Sequence, residues 1–317
     1  MIARVFVFLG VTTSQSSIMR IFPRWRDRLG LGADVEIVGW DVPIGAPPAR
    51  YQELVSAMKV DGNIVGGLVT THKLDVYAAA RDLIDDLDPY ARLCEEVSCL
   101  SKRGDRLLGW AKDPVSAGRS LTALLGSGYF LRTGGKVLCF GAGGAGTAIV
   151  LHLLTALDPG DRPEGIMVTD AAPGRLDSLR TLHRKVGSTI PIDLVEVRDP
   201  LVNDALLDGL PPGSLVINAT GMGKDIPGSP ITAAARFPER GIVWELNYRG
   251  DLHFLRQAAA RSRDSGLRLE AGWSYFIHGW TTAIEEVFQR PIGTEELDRL
   301  TEAAAFARPP LPIAWES

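Results

Sequence analysis

The chain is poor in cysteine: Cys94, Cys99 and Cys139 are the only three in 317 residues. None forms a C-x-x-C pair and the count is odd, which argues against a disulfide framework and for a reduced, cytoplasmic setting. Cys139 sits in an apolar, strand-like run and reads as core packing. There are five histidines and none carries a metal-ligand spacing, so no metal is expected. Excess positive charge is also missing. Lys and Arg number 34 against 38 Asp and Glu, a formal net charge of -4 and a pI near 5.8, so there is no basic field to hold a nucleic acid. No apolar run approaches the ~20 residues of a membrane span. The opening stretch, residues 1–10, is too short for a signal peptide and reads as a first strand. Internal repeats and low-complexity segments are absent.

What remains is ordinary globular composition, 45% hydrophobic and 23% charged. At roughly 150 residues per domain this length suggests two domains. Strand-like apolar runs alternate with helical patterns almost throughout, the signature of α/β construction with mostly parallel sheets. In the first block, strands are expected over 3–9, 35–40 and 63–69, with helices over 16–29, 48–58 and 73–83. Residues 97–100 and 106–110 flank Lys102-Arg103-Gly104-Asp105 and suggest a hairpin. A helix over 114–125 leads to glycine-rich turns at 126–128 and 133–135. A second block then runs strand 136–140, helix to 157, strand 165–169 and a helix from 174. Later strands are expected at 215–218 and 241–245, and a last long helix over 274–289. The expected fold is α/β in two domains. Residues 1–117, with 275–317 packing back, form an N-terminal α/β substrate domain; 118–274 form a Rossmann-type doubly wound dinucleotide-binding domain.

The sharpest local signal is Gly141, Ala142, Gly143, Gly144, Ala145 and Gly146, which fits G-x-G-x-x-G between a strand and a helix. The first glycine permits the tight turn, the second lets backbone approach a pyrophosphate, and the third lets helix and strand pack closely. The helix N-terminus then offers free N–H groups and partial positive charge. Asp170 lies 24 residues past Gly146, at the end of the next strand, where an acid is expected to hold the ribose hydroxyls of NAD. A structural turn with Asp170 capping the helix before Pro173 is the plainer alternative.

Lys73 and Asp113 each stand at a strand-to-helix corner. By local sequence alone both read as structural, Lys73 as a solvated helix start and Asp113 as an N-cap before Pro114. The ordered set of segments changes that weighting, because from about Arg4 to Arg290 the chain resembles the shikimate dehydrogenase family. Residues 10–17 resemble its S-x-S segment, with Ser14 and Ser16 in the serine places. Residues 67–73 resemble N-V-T-x-P-x-K and 109–113 resemble G-x-N-T-D. Asn218, Ala219 and Thr220 match N-A-T, residues 244–248 resemble Y-D-x-x-Y, and 272–279 resemble the G-x-x-M-L-x-x-Q helix start. The resemblance implies Lys73 and Asp113 as the catalytic pair and Ser14, Ser16, Val69, Ser98, Tyr248 and Gly279 as the substrate-binding places. It further implies a cofactor on 141–146, Asp170 and 218–220, with the active site in the cleft between the domains.

The departures carry information too. Gly67, Val69, Ser98, Ala111-Lys112 and Gly279 stand where the family has residues that bind ring hydroxyls. A site built for those hydroxyls discriminates strongly when its partners change. The resemblance therefore implies reversible hydride transfer between a nicotinamide and a ring hydroxyl of shikimate, quinate or a related cyclic hydroxy acid, a chemistry of aromatic amino acid biosynthesis. NADP-using members have N-R-T where this chain has Asp170-Ala171-Ala172, and Arg175 matches a later family arginine and so does not replace the missing one; NAD is expected over NADP. Burial is expected to lower Lys73 for base work. Trp273 and Trp280, seven apart, are expected to wall the pocket, with His72 and His278 lining it. The expected partners are a small hydroxy acid, with no nucleic acid and no membrane, in a monomer or homodimer. Two competitors stand beside this reading: a non-catalytic nucleotide-sensing regulatory protein on the same fold, and a methylene-tetrahydrofolate dehydrogenase.

Overall fold

The protein is described from a computed structural model covering residues 3–156, 158–224 and 226–311, the side chains of 263 and 264 excepted. It divides into two compact units, Met1–Ser116 with Ile277–Arg308, and Ala117–Phe276 with Pro309–Ser317.

The first unit opens with β1 (Arg4–Gly10), α1 (Ile18–Leu29) and β2 (Val35–Asp41). It continues with α2 (Pro48–Val60), β3 (Ile64–Val69) and α3 (Lys73–Ala80), then the two-residue β4 (Asp86–Leu87) and α4 (Pro89–Cys94). The antiparallel hairpin β5 (Cys99–Arg103) and β6 (Arg106–Trp110) completes a six-stranded sheet of order β2-β1-β3-β5-β6-β4. β1 is the central parallel strand, paired to β2 and β3, and is apolar almost end to end because both its faces are covered. α1 buries Ile18, Ile21, Phe22, Trp25 and Leu29 on one stripe, and Gly30 closes it in the left-handed conformation a C-terminal glycine adopts easily. The hairpin forms where expected but turns tightly on Gly104-Asp105, so β5 reaches Arg103. The short pieces β4 and α4, absent from the sequence expectation, are too brief to leave a periodic trace.

α5 (Asp113–Leu125) carries the chain into the second unit. There the expected turns at 126–128 and 133–135 bracket a short helix, α6 (Tyr129–Thr133), entered and left through left-handed Gly128 and Gly134. The core alternation follows: β7 (Val137–Phe140), α7 (Gly144–Thr155), β8 (Ile166–Asp170), α8 (Pro173–Val186), β9 (Ile192–Glu196), α9 (Pro200–Asp208), β10 (Leu215–Asn218), β11 (Ile242–Glu245), α10 (His253–Ser265) and β12 (Arg268–Glu270). All six strands are parallel in the order β12-β11-β10-β7-β8-β9. That is the doubly wound dinucleotide-binding order, and its direction reverses between β7 and β10, where ligands of such sheets sit.

α11 (Trp273–Phe288) returns the chain to the first unit and α12 (Thr294–Ala304) follows it there, where Leu300 O accepts a 2.8 Å hydrogen bond from Trp25 Nε1. The expected placement of the tail needs correction. Pro309–Leu311 group with the second unit, because Leu311 packs against the buried Leu252, Leu255 and Ala271. Residues 312–317 lie outside the described residues. No helix among the described residues is long and apolar enough to cross a membrane.

Candidate active site

Lys73 is the first residue of α3 and Asp113 the first of α5, so each side chain leaves a strand-to-helix corner of the first sheet. They meet: Lys73 Nζ donates to Asp113 Oδ2 in an ion pair whose side chains are 18% and 13% exposed. The turn before Lys73 is held by unusual means. Thr71 takes a left-handed backbone (φ 62°), a conformation costly for a branched residue. His72 is buried and pinned at both ring nitrogens. Nε2 donates to the Val42 carbonyl at 2.9 Å, and Nδ1 accepts the Tyr51 hydroxyl at 3.0 Å. His72 therefore braces the corner that aims Lys73, a role more specific than lining the pocket.

The expected lowering of Lys73 does not occur. Burial pulls its pKa down, but the charges of Asp113 and Glu96 outweigh that and the net shift is upward. Glu96, which local sequence does not single out, is 3% exposed, and burial together with the Asp113 charge pushes it up to about 8.

The other sequence-selected places of the first unit divide by what their side chains are free to do. Ser14 is exposed on a single 3-10 turn (Thr13–Gln15), and Ser16, half-buried, ends it. That turn is tied to β2 by Asp41, which accepts from Thr13 N at 2.8 Å and from Thr13 Oγ1 at 2.6 Å. Ser98 is committed internally: its Oγ accepts from Lys112 N at 2.7 Å and donates to Trp110 O at 3.4 Å. Val69 is buried at the end of β3. Gly67 cannot carry a side chain, since a Cβ there would fall 2.6 Å from the Val7 carbonyl. Gly279 on α11 has open space where a Cβ would be. Lys112, beside Asp113, pairs with Glu286 at 2.5 Å and stacks over Trp110, 4.3 Å from the ring centroid.

Trp280 packs edge-on against Phe8 at 4.8 Å in the first unit. Trp273 stacks on Phe276 at 5.1 Å in the second, where Tyr248 joins the same cluster, 4.5 Å from Phe276. Each tryptophan packs on an aromatic ring of its own unit. His278 is buried on α11.

In the second unit the three glycines of the turn differ in what surrounds them. Gly141 is left-handed (φ 101°) and a Cβ there would strike Ala219 backbone at 2.8 Å; at Gly146 it would lie 2.0 Å from the Gly141 carbonyl. A Cβ on Gly143 meets nothing within 4 Å, so this glycine keeps a space open to a ligand and not a packing contact. Gly143 caps α7 with no side-chain hydrogen bond, which leaves the first-turn N–H groups of α7 for an anion. Beside the loop, Asn218 Nδ2 donates to Glu245 Oε2 at 2.7 Å and Thr220 Oγ1 donates to Asn218 Oδ1 at 2.7 Å. Asn218, Ala219 and Thr220 thus leave β10 in a fixed turn. Glu245 is fully buried, which pushes it up to about 7.

Asp170 is 8% exposed at its side chain, and both its oxygens accept backbone N–H bonds, Oδ2 from Ala142 and Oδ1 from Ala172, each at 2.8 Å. It fastens the glycine turn to β8. Arg175 Nη1 stands 3.6 Å from the same carboxylate and is largely exposed.

Sheet order, glycine turn and a half-buried lysine–carboxylate pair together define an α/β dehydrogenase that uses a nicotinamide dinucleotide. Known proteins specify the kind. No family model matches the chain. A shikimate dehydrogenase (NADP(+)) of Streptococcus gordonii is 29% identical over 217 residues, covering 68% of this chain and 70% of that protein. A crystal structure of the Thermus thermophilus shikimate 5-dehydrogenase, in complex with NADP(H) and shikimate, superposes with a TM-score of 0.69 at 25% identity, covering 96% and 99% of the two chains. The quinate dehydrogenase of Corynebacterium glutamicum, in complex with NAD, shares the fold with a TM-score of 0.72 at 18% identity, covering 96% and 100%. The resemblance read from the motifs holds in sequence and in fold: the chain is a shikimate dehydrogenase-like, NAD(P)-dependent oxidoreductase acting on a CH–OH group. Nothing in these relatives supports the regulatory alternative.

The preference for NAD is overturned. The curated relatives are named for NADP(+). Asp170 is not a free carboxylate: one oxygen accepts from Ala142 of the glycine turn, the other from Ala172 of its own loop, and a cation stands beside it.

Proposed function

We propose that this chain catalyses reversible hydride transfer between NADP(H) and a ring carbinol of shikimate or a closely related cyclic hydroxy acid, with Lys73 and Asp113 handling the proton. The observation that carries this reading is the shielded ion pair between two residues 40 apart in sequence, each at the mouth of a helix. Bound on the second unit, the nicotinamide supplies or accepts the hydride; every other demand falls on the protein. Gly141–Gly146 backbone and the α7 N-terminus hold the pyrophosphate, with the open side of Gly143 as the point of approach. Arg175, largely exposed beside Asp170, would pair with the 2′-phosphate, as a nearby arginine does in NADP-binding members of this fold.

Asp113 keeps Lys73 protonated at rest, so in the reducing direction Lys73 Nζ–H gives its proton to the developing alkoxide. In the oxidising direction the same amine must first be neutral, and its raised pKa makes that direction faster as the pH rises. Ser14 and Ser16, on a turn fixed by Asp41, hold the substrate carboxylate. Gly67, Val69 and the internally committed Ser98 offer fewer polar groups to ring hydroxyls, which narrows the substrate to an acid with a different hydroxyl pattern or relaxes the choice among several. The test is reduced-cofactor absorbance with shikimate, quinate and aminoshikimate in turn. Turnover with at least one acid, falling by ~100-fold or more in Lys73→Ala and Asp113→Asn, is expected; unchanged turnover in both variants removes the assignment.

A further inference from the structure

One ionisable group beside the Lys73–Asp113 pair is left unused by the reaction as described. Glu96 follows α4, which ends on Glu95 in a left-handed conformation (φ 53°). Such a backbone is costly for a residue with a Cβ, and here it turns the chain so that Glu95 stays exposed while Glu96 is buried. The backbone on either side is pinned. Glu96 N donates to Ala91 O at 3.3 Å, and Val97 N donates to Lys73 O at 3.1 Å, which ties this residue to the first turn of α3. Oε1 of Glu96 has no hydrogen-bond partner among the described residues. A buried carboxyl oxygen without a donor costs free energy, so a purely structural role leaves it unexplained. The charges of Lys73 on α3, Asp113 on α5 and Asp88 at the N-cap of α4 act on it.

We infer that Glu96 is a reserve carboxyl for the site: neutral while Lys73 and Asp113 balance each other, and ionised as the pH rises, when its charge holds the proton on Lys73 and extends the pH range over which Lys73 donates. This rests on the assignment of Lys73 as the proton donor. Glu96 acts through Lys73 and is a positioning residue. The electrostatics agree in sign. Burial and the Asp113 charge push Glu96 up to about 8, and Glu96 in turn raises Lys73. No proton is lost in the cycle: the one Lys73 gives to the alkoxide is replaced from solvent, directly or through the Glu96 carboxyl.

The test is the pH profile of turnover in the reducing direction, for the wild type, Glu96→Gln and Glu96→Ala. The alkaline limb of both variants is expected to lie about one pH unit to the acid side, an approximately tenfold loss at a fixed alkaline pH. A uniform loss at every pH, or superimposable profiles, overturns the proposal. A second readout does not need activity. Infrared difference spectra in a Glu245→Gln background, which silences the other carboxyl that burial pushes up, should show a protonated-carboxyl C=O band that disappears as the pH passes about 8 and is missing in Glu96→Gln. Its persistence in Glu96→Gln overturns the proposal. If Lys73→Ala keeps full turnover, the donor assignment fails and this inference with it. If Lys73→Ala is inactive while the Glu96 limb does not move, only this inference fails.

Discussion

A lysine and an aspartate are common residues, and at Lys73 and Asp113 the local sequence favours a helix start and a helix cap. Both plain readings are true of the structure, since each residue does open its helix. What the local sequence does not carry is that the two corners face each other. Only the ordered segments of a family resemblance select the pair. Asp170 shows the opposite failure. Its spacing from the glycine turn is right, and its carboxylate is used, but by the amides of Ala142 and Ala172. Spacing carries position, not what else competes for the oxygens. If Arg175 carries the 2′-phosphate contact, Arg175→Ala should weaken NADP binding by about tenfold and leave NAD binding nearly unchanged, measured by quenching or calorimetry. Equal losses for both cofactors would place Arg175 elsewhere. Cys99 and Cys139 are buried and pushed up to about 12, so neither should react with a thiol reagent in the folded protein, whereas both should in denaturant.

Elements with strong periodicity were legible from sequence: β1, α1, β3, β7, the glycine turn and α11 all fall within a few residues of expectation. The helices α9, α10 and α12 and the strand β12 were not read from the sequence either, and the smallest omissions have a plain cause. β4 has two residues and β9 has no fully buried position, so neither leaves an apolar run to read. The glycine turn also makes a sharp element-scale prediction. Gly146→Ala puts a methyl 2.0 Å from the Gly141 carbonyl, and backbone cannot yield as a flexible side chain can. Loss of cofactor binding with a drop in melting temperature is expected; Gly143→Ala, with open space around it, should keep the fold and lose affinity alone. Where β11 ends, Glu245 binds a proton more tightly in the folded state, at about 7, than its ordinary 4.5 in the unfolded chain. Between those values the folded protein holds the extra proton, so stability falls as the pH rises, by up to ~3 kcal/mol once the pH passes 7. Glu245→Gln should remove that slope in denaturant titrations at several pH values. An identical slope in the variant would mean that Glu245 stays ionised in its bed of asparagine donors.

At the scale of the whole chain, composition and charge argue against nucleic acid and a disulfide scaffold, and the alternation of strands and helices announced two α/β sheets. The mixed topology of the first sheet was not legible, because strand order there depends on the return of β4 beside β6 and on the antiparallel hairpin, both non-local pairings. The second sheet was foreseeable once the glycine turn fixed its first strand. The candidate site follows the same division: the glycine turn is a contiguous motif and could be read, whereas Glu96, buried by a left-handed turn after a six-residue helix, could not.

The most direct measurement is steady-state turnover of the purified protein with NADP and a panel of shikimate, quinate and aminoshikimate, run beside Lys73→Ala. NADP reduction with at least one of the acids, lost in the variant and faster at alkaline pH, is the predicted result. NADP binding without turnover of any cyclic hydroxy acid, or turnover that survives Lys73→Ala, would contradict it.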